Sequence, residues 1–496
     1  MNFKAKLCFL FLFTGFIFTA CDDLDDNPAP QSIAVNDFVW KGLNTYYLWQ
    51  AEVPNLTDDL FYDQKKLNNF LSGYSEPSVL FQDLLNKPVS KYPNPGEAID
   101  RFSVIYSNYS QLEGVLSGNT LNNGVDFGLK RKAAGSSEVF GWVRYIIPNS
   151  DASTKEIYRG DLFYAVNGIP LTDDGNGNNN WVDLLYGDDT YTLNLADYDN
   201  GNITPNGRTV TLTKTALSEN PVLMSTVITN GTHKIGYLMY NGFYTGYENQ
   251  LNAAFAQLQS EGITDMVLDL RYNSGGSIDT ATRLASMITG QFTGQVFAKQ
   301  QWNAKVEDYY STKDPSRFYN YFTNRLNDNS AISSLNLNKI YILTSKSTAS
   351  ASELVINGLK PYINVVQIGD VTTGKNVGSI TLYDSPTFNK KDVNPTHKYA
   401  MQPLVLKIVN KTGFGDYING LEPNYELKED LGNLDVLGNP TEPLLSTAIG
   451  MITANGKMKK ENPAKTFEII RDSQTVNRFE NEMYPNEIPA IFRSEL

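Results

Sequence analysis

From His233 onward the sequence keeps changing period. Short apolar runs of strand length at 235–240, 266–270, 340–343 and 365–368 are separated by stretches of helical spacing at 247–261, 278–288 and 351–359. A strand alternates its side chains between two faces, whereas a helix returns to the same face every third or fourth residue. A chain that switches repeatedly between the two must stack a sheet against helices, and residues 220–430 are therefore expected to form an α/β layered domain.

The flanks read differently. At 496 residues and 41% apolar content, the chain suits two or three cores of ordinary size better than one. Over 32–115 Phe38, Val39, Gly42, Leu43, Tyr46 and Trp49 recur at three- and four-residue intervals, and 62–71 and 79–85 read as further short helices. This predicts a small helical N-terminal domain whose aromatics are core. Over 120–215 the texture is β: apolar runs at 125–129, 139–147, 161–166, 191–195 and 209–212, with Asn167-Gly168 placed to make a tight hairpin. Residues 431–496 read as an extension with a helix at 443–454 and then a polar tail without recognisable chemistry. The whole is a mixed α+β multidomain chain of the α/β class.

The first residues and the cysteine count narrow the chemistry. Lys4 and Lys6 precede an apolar run over 7–18 that ends in Thr19-Ala20-Cys21, the form of a secretory signal with a lipobox over 1–21. The run is shorter than the ~20 residues a stable membrane span needs. Cys21 is thus expected to become a lipidated N-terminus, followed over 22–31 by an acidic, Pro-containing tether. That predicts export across the inner membrane and anchoring in the cell envelope, at the outer membrane. The other cysteine, Cys8, lies in the same leader, so no disulfide, thiol nucleophile or Cys-rich metal site is available after its removal. With only His233 and His397, a multi-histidine metal site is excluded as well. A net charge of −13 without any dense Lys/Arg cluster argues against nucleic acid. Hydroxyls, amines and carboxylates remain.

Three segments could carry such chemistry. Asp269-Leu-Arg-Tyr-Asn-Ser-Gly275-Gly276 ends a strand in a double glycine before a helix. Its exposed amides suit an anion loop, half of an oxyanion hole, or a plain turn. Thr348-Ala-Ser350-Ala351-Ser-Glu353 is again strand, small-residue turn and helix; Ser350 is placed either as a nucleophile with the Ala351 amide facing the developing oxyanion, or as a helix cap. Gly369-Asp-Val-Thr-Thr-Gly374-Lys375 sets a lysine among small residues, suited to a buried neutral base; as a phosphate loop it lacks the following hydroxyl, which Asn376 replaces.

Jointly these segments resemble the C-terminal processing, or tail-specific, serine proteases, in a bacterial lipoprotein form, over roughly residues 120–430. The resemblance implies a Ser350–Lys375 dyad, an oxyanion hole from the amides of Gly276 and Ala351 with Gly275 a poorer donor, and no cofactor or metal. Residues 120–215 resemble a PDZ domain, implying protein or peptide substrates bound as an added β-strand near 125–129. One departure stands out. The family often has a glutamine four residues after the lysine to steady it, and here that position is Ser379, whose hydroxyl is the candidate substitute. Glu353 and Arg271 match the family without an evident catalytic task. Two rival readings remain: a histidine-based triad using His233, and a non-catalytic lipid-anchored peptide-binding scaffold.

Overall fold

The computed structural model describes residues 29–61, 63–94, 96–453, 467–474 and 482–485. Cys21, the leader and most of the acidic tether lie outside the described residues. Strands Val222–Asn230, His233–Tyr240, Asp265–Asp269, Lys339–Thr344, Asn364–Gly369 and Tyr425–Glu426 form one six-stranded sheet in that order. Its first pair is antiparallel and the others are parallel. Parallel neighbours need a crossover, and the helices Glu248–Ser260, Ile278–Thr289 and Ala351–Leu359 supply it.

Burial along the strands shows why the runs read as continuously apolar. Leu238, Tyr240, Leu268, Ile340 and Ile342 pack on the crossover-helix face. Ile235, Tyr237, Met239, Val267, Tyr341 and Leu343 pack on the other, against Leu444, Leu445, Ala448 and Ile449. Both faces are covered, so neither tolerates polar residues. The covering helix, Pro443–Thr453, belongs to the layered domain, which does not stop at residue 430 as expected.

The N-terminal helices Ala34–Tyr46, Gln64–Leu71 and Pro77–Asp83 are present, but they do not build a separate core. Phe38, Leu43 and Leu80 share one continuous apolar cluster with the crossover helices. The docking is close: a Cβ on Gly42 would fall 2.1 Å from the Met401 side chain. Asn303 Nδ2 also donates to the carbonyls of Thr45 and Tyr47, at 2.9 and 3.0 Å.

Residues 119–218 form the expected β-rich unit. Asn167 and Gly168, at φ 50° and 79°, close the hairpin between Leu162–Val166 and Ile169–Pro170. The sheet runs in the order Ile469–Asp472, Val125–Arg131, Val139–Ile146, Leu162–Val166, Thr190–Asp199, Asn202–Thr213. Its outer strand comes from the C-terminal tail. The edge at 125–129, expected to be open for a peptide, is occupied by the chain itself.

Arg159 fastens this unit to the layered domain, donating to Glu429 Oε1 at 2.7 Å and to the Tyr272 hydroxyl at 2.6 Å. Burial alone would raise the Glu429 pKa, but Arg159 and Arg271 outweigh it and hold the carboxyl at about 2.

Candidate active site

The strand Lys339–Thr344 leaves the sheet into a turn of small residues pinned by both side chains and backbone. Ser345 Oγ donates to the Arg271 carbonyl, and Thr348 Oγ1 donates to that of Leu270 at 2.9 Å. The Ala349 amide and Ser352 Oγ both donate to the Asn273 carbonyl at 3.1 Å. Ser350 follows at φ 62° and ψ −115°, a conformation that costs a non-glycine residue about 1–3 kcal/mol and persists only when its surroundings enforce it. Its side chain is fully buried, and Oγ has no hydrogen-bond partner. Ser350 is also the N-cap of the helix, in a capping box with Glu353, whose carboxylate accepts the Ser350 N–H at 2.8 Å. Ala351 opens the helix, so its N–H has no carbonyl one turn earlier to serve.

The glycine turn abuts that serine. Gly275 and Gly276 sit at φ 118° and 133°, and a Cβ on Gly275 would lie 2.7 Å from Ser350 Cβ. Only glycine allows this approach. The two amides point differently. The Gly275 N–H is used internally, donating to Asn273 Oδ1 at 2.9 Å, whereas the Gly276 N–H donates at 2.7 Å to the backbone carbonyl of Glu482.

Lys375 is brought in by a carboxylate. Glu353, fully buried, accepts from the amides of Ser350, Gly374 and Lys375 at 2.8, 2.7 and 2.9 Å, and from Thr372 Oγ1. Burial raises its pKa even against these four donors. Glu353 thus ties the backbone of the serine turn to that of the lysine loop, a positioning task that local sequence did not suggest. From the other side Arg101 donates to the Gly374 carbonyl at 2.6 Å, and the Phe102 ring lies 4.8 Å from Lys375 Nζ. Both come from the N-terminal segment.

Ser379 Oγ donates to Glu482 Oε2, and Lys375 Nζ lies 3.4 Å from that same oxygen. Ser379 is linked to the lysine through this carboxylate. Gln402 Nε2 donates to Ser379 Oγ at 3.2 Å, so a glutamine stands beside the serine in space although none occupies position 379. It arrives on the strand Ala400–Gln402, far along the chain. Burial pushes the Glu482 carboxyl up, with Lys375 and Ser379 opposing. The tail, read from sequence as chemically silent, therefore enters the site.

His233 does not. It begins the strand His233–Tyr240 and pairs with Asp265, at 2.7 Å, at the start of the neighbouring parallel strand. Ser350 lies beyond the opposite strand ends, so the histidine triad is excluded by topology. Arg271 is buried between Asp269 and Glu442, to which it donates at 2.6 and 3.0 Å, and serves to lock Pro443–Thr453 onto the sheet. Among the described residues no cluster of His, Cys, Asp or Glu suits a metal ion, and no helix is long and apolar enough to cross a membrane.

Known proteins place this arrangement. The Peptidase family S41 profile matches residues 234–387, and the Peptidase S41 N-terminal domain profile matches 34–104. The chain is 27% identical over 170 residues to a carboxyl-terminal-processing protease of Picosynechococcus sp., covering 34% of this chain and 36% of that one. It is 24% identical over 180 residues to a probable CtpA-like serine protease of Staphylococcus epidermidis, covering 34% and 33%. The chain thus spans about a third of the length of these curated relatives. A crystal structure of a putative S41 protease from Bacteroides fragilis superposes with a TM-score of 0.63 at 25% identity, covering 85% of this chain and 98% of that one. The chain thus carries matches to both Peptidase S41 profiles, in their order, and shares its fold with that S41 protease over nearly the whole length of the relative.

Proposed function

We propose that the protein is a serine endopeptidase of the C-terminal processing type, with Ser350 as nucleophile and Lys375 as general base. The observation that carries this reading is the shared carboxylate. Glu353 anchors the backbone of a strained serine whose buried hydroxyl is unpaired, and the backbone of a fully buried lysine. In the reaction Lys375 takes the Ser350 proton as Oγ attacks a peptide carbonyl, the Gly276 and Ala351 amides receive the oxyanion, and the amine leaves with the proton Lys375 returns. Water, deprotonated by the same lysine, then hydrolyses the ester.

Substrates are protein or peptide segments in extended form, laid alongside Gly276–Ser277 as a strand; the PDZ-like unit over 120–215 takes part in their selection. Incubation with an unfolded protein, with products mapped by mass spectrometry, tests the reading. Ser350→Ala is expected to abolish cleavage with an unchanged circular dichroism spectrum, and cleavage that survives the substitution refutes the dyad.

Cys21 as a lipid anchor in the cell envelope completes the proposal, supported by the leader's charge and length. Metabolic labelling with radioactive palmitate in a bacterial host should mark the full chain and leave a Cys21→Ser chain unlabelled; equal labelling of both would sink the anchor.

A further inference from the structure

We propose that the C-terminal tail of this chain occupies its own peptide-binding cleft and competes there with substrate. The inference rests on the peptidase reading only for what the cleft does. The docking itself is carried by geometry at two separate places.

At the first, Glu482, Met483 and Tyr484 are threaded beside the nucleophile. Met483 and Tyr484 pair in parallel with Gly276 and Ser277, and on the other side a Cβ on Gly378 would lie 3.0 Å from the Met483 carbonyl. All three side chains are buried, and Tyr484 donates through its hydroxyl to the Leu116 carbonyl at 3.0 Å. The Glu482 carbonyl oxygen accepts the Gly276 N–H at 2.7 Å and lies 2.5 Å from where a Gly275 Cβ would be. This is where the carbonyl of a peptide under attack would sit.

The Glu482 side chain makes this occupant an inhibitor rather than a good substrate. Its carboxylate stands 3.4 Å from Lys375 Nζ and accepts from Ser379. A carboxylate there favours the ammonium form of the lysine, and an ammonium cannot accept the Ser350 proton. The same residue thus fills the oxyanion donor with its backbone and occupies the base with its side chain.

At the second place, Ile469–Asp472 extends the PDZ-like sheet as an antiparallel strand on Val125–Arg131. The Arg131 amide donates to the Glu468 carbonyl at 2.9 Å. Asp472 Oδ2 accepts from Arg144 at 3.1 Å and from Ser347 Oγ, on the serine turn itself, at 2.7 Å. Anchored there, the tail presents Glu482 to the cleft at an effective concentration on the order of millimolar, so even a weak contact is kept occupied. Residues 469–472 and 483–484, both from the tail, thus pair at two places where an extended peptide could add to this fold.

The test uses the full-length chain carrying Glu482→Arg with Met483→Asp, which sets a cation against Lys375 and a charge in a buried position. Its kcat/KM on an unfolded protein is expected to rise at least tenfold over the parent, and a synthetic peptide of residues 478–488 should inhibit it competitively. A kcat/KM within twofold of the parent overturns the proposal. If that chain does not fold, Asp472→Lys, which opposes Arg144 at the other anchor, is measured by the same criteria. If neither parent nor variant shows Ser350-dependent cleavage, the peptidase reading fails. Fluorescence anisotropy of the labelled peptide on the variant then decides the docking by itself, binding supporting it and absence of binding refuting it.

Discussion

Lys375→Met is expected to lower kcat/KM by a factor on the order of a thousand or more, while the protein stays folded. Methionine nearly matches the volume of the lysine stem and needs no hydrogen bonds, so the buried position remains filled. What disappears is the proposed base of Ser350, and general acid–base catalysis typically contributes about 10²–10⁴-fold. The loss of stability should be limited, because Glu482, 3.4 Å from the amine and with its pKa already raised by burial, can take up a proton once the ammonium is gone. Steady-state kinetics with thermal melts of both proteins checks this. Activity within tenfold of the parent would mean that another group takes the proton.

Glu353→Gln should be nearly as damaging, by a different route. The carboxylate accepts from four donors, three of them backbone amides on two separate loops. An amide keeps one acceptor oxygen and, in either orientation, turns its NH2 group toward at least one backbone N–H that cannot receive it. Leaving buried N–H groups unmatched costs about 1–3 kcal/mol each. The loops would relax apart, and displacements near 1 Å between reacting groups cost about a hundredfold in rate. A fall in kcat/KM of about a hundredfold and a lower urea midpoint are expected together. A variant that lost stability and kept full activity would show that Glu353 only supports the fold.

The layered domain was legible in the sequence because its central strands are buried on both faces and separated by helices long enough to show their period. Ser350, Gly276 and Lys375 could be singled out for a related reason: each follows a strand in a turn of small residues. What supports them could not be read. Arg101, Phe102, Glu353 and Gln402 each look locally like an ordinary surface or core residue, and they become neighbours only through tertiary contact. The N-terminal helices were visible as helices, yet their apolar stripe does not say what covers it. Glu482 was the deepest miss, since a polar tail gives no local sign that it returns to a cleft.

The contact of Arg101 and Phe102 with the lysine loop has a consequence for how the protein fails. Groups that steady the lysine loop come from Arg101 and Phe102 as well as from Glu353, far along the chain, so the centre exists only once distant parts of the chain have come together. On the proposed activity, a nascent or half-unfolded copy would cut none of its neighbours. Nicking that strips away the first helices would leave a sheet and a serine but no working base, and damage would silence this protein rather than let it loose.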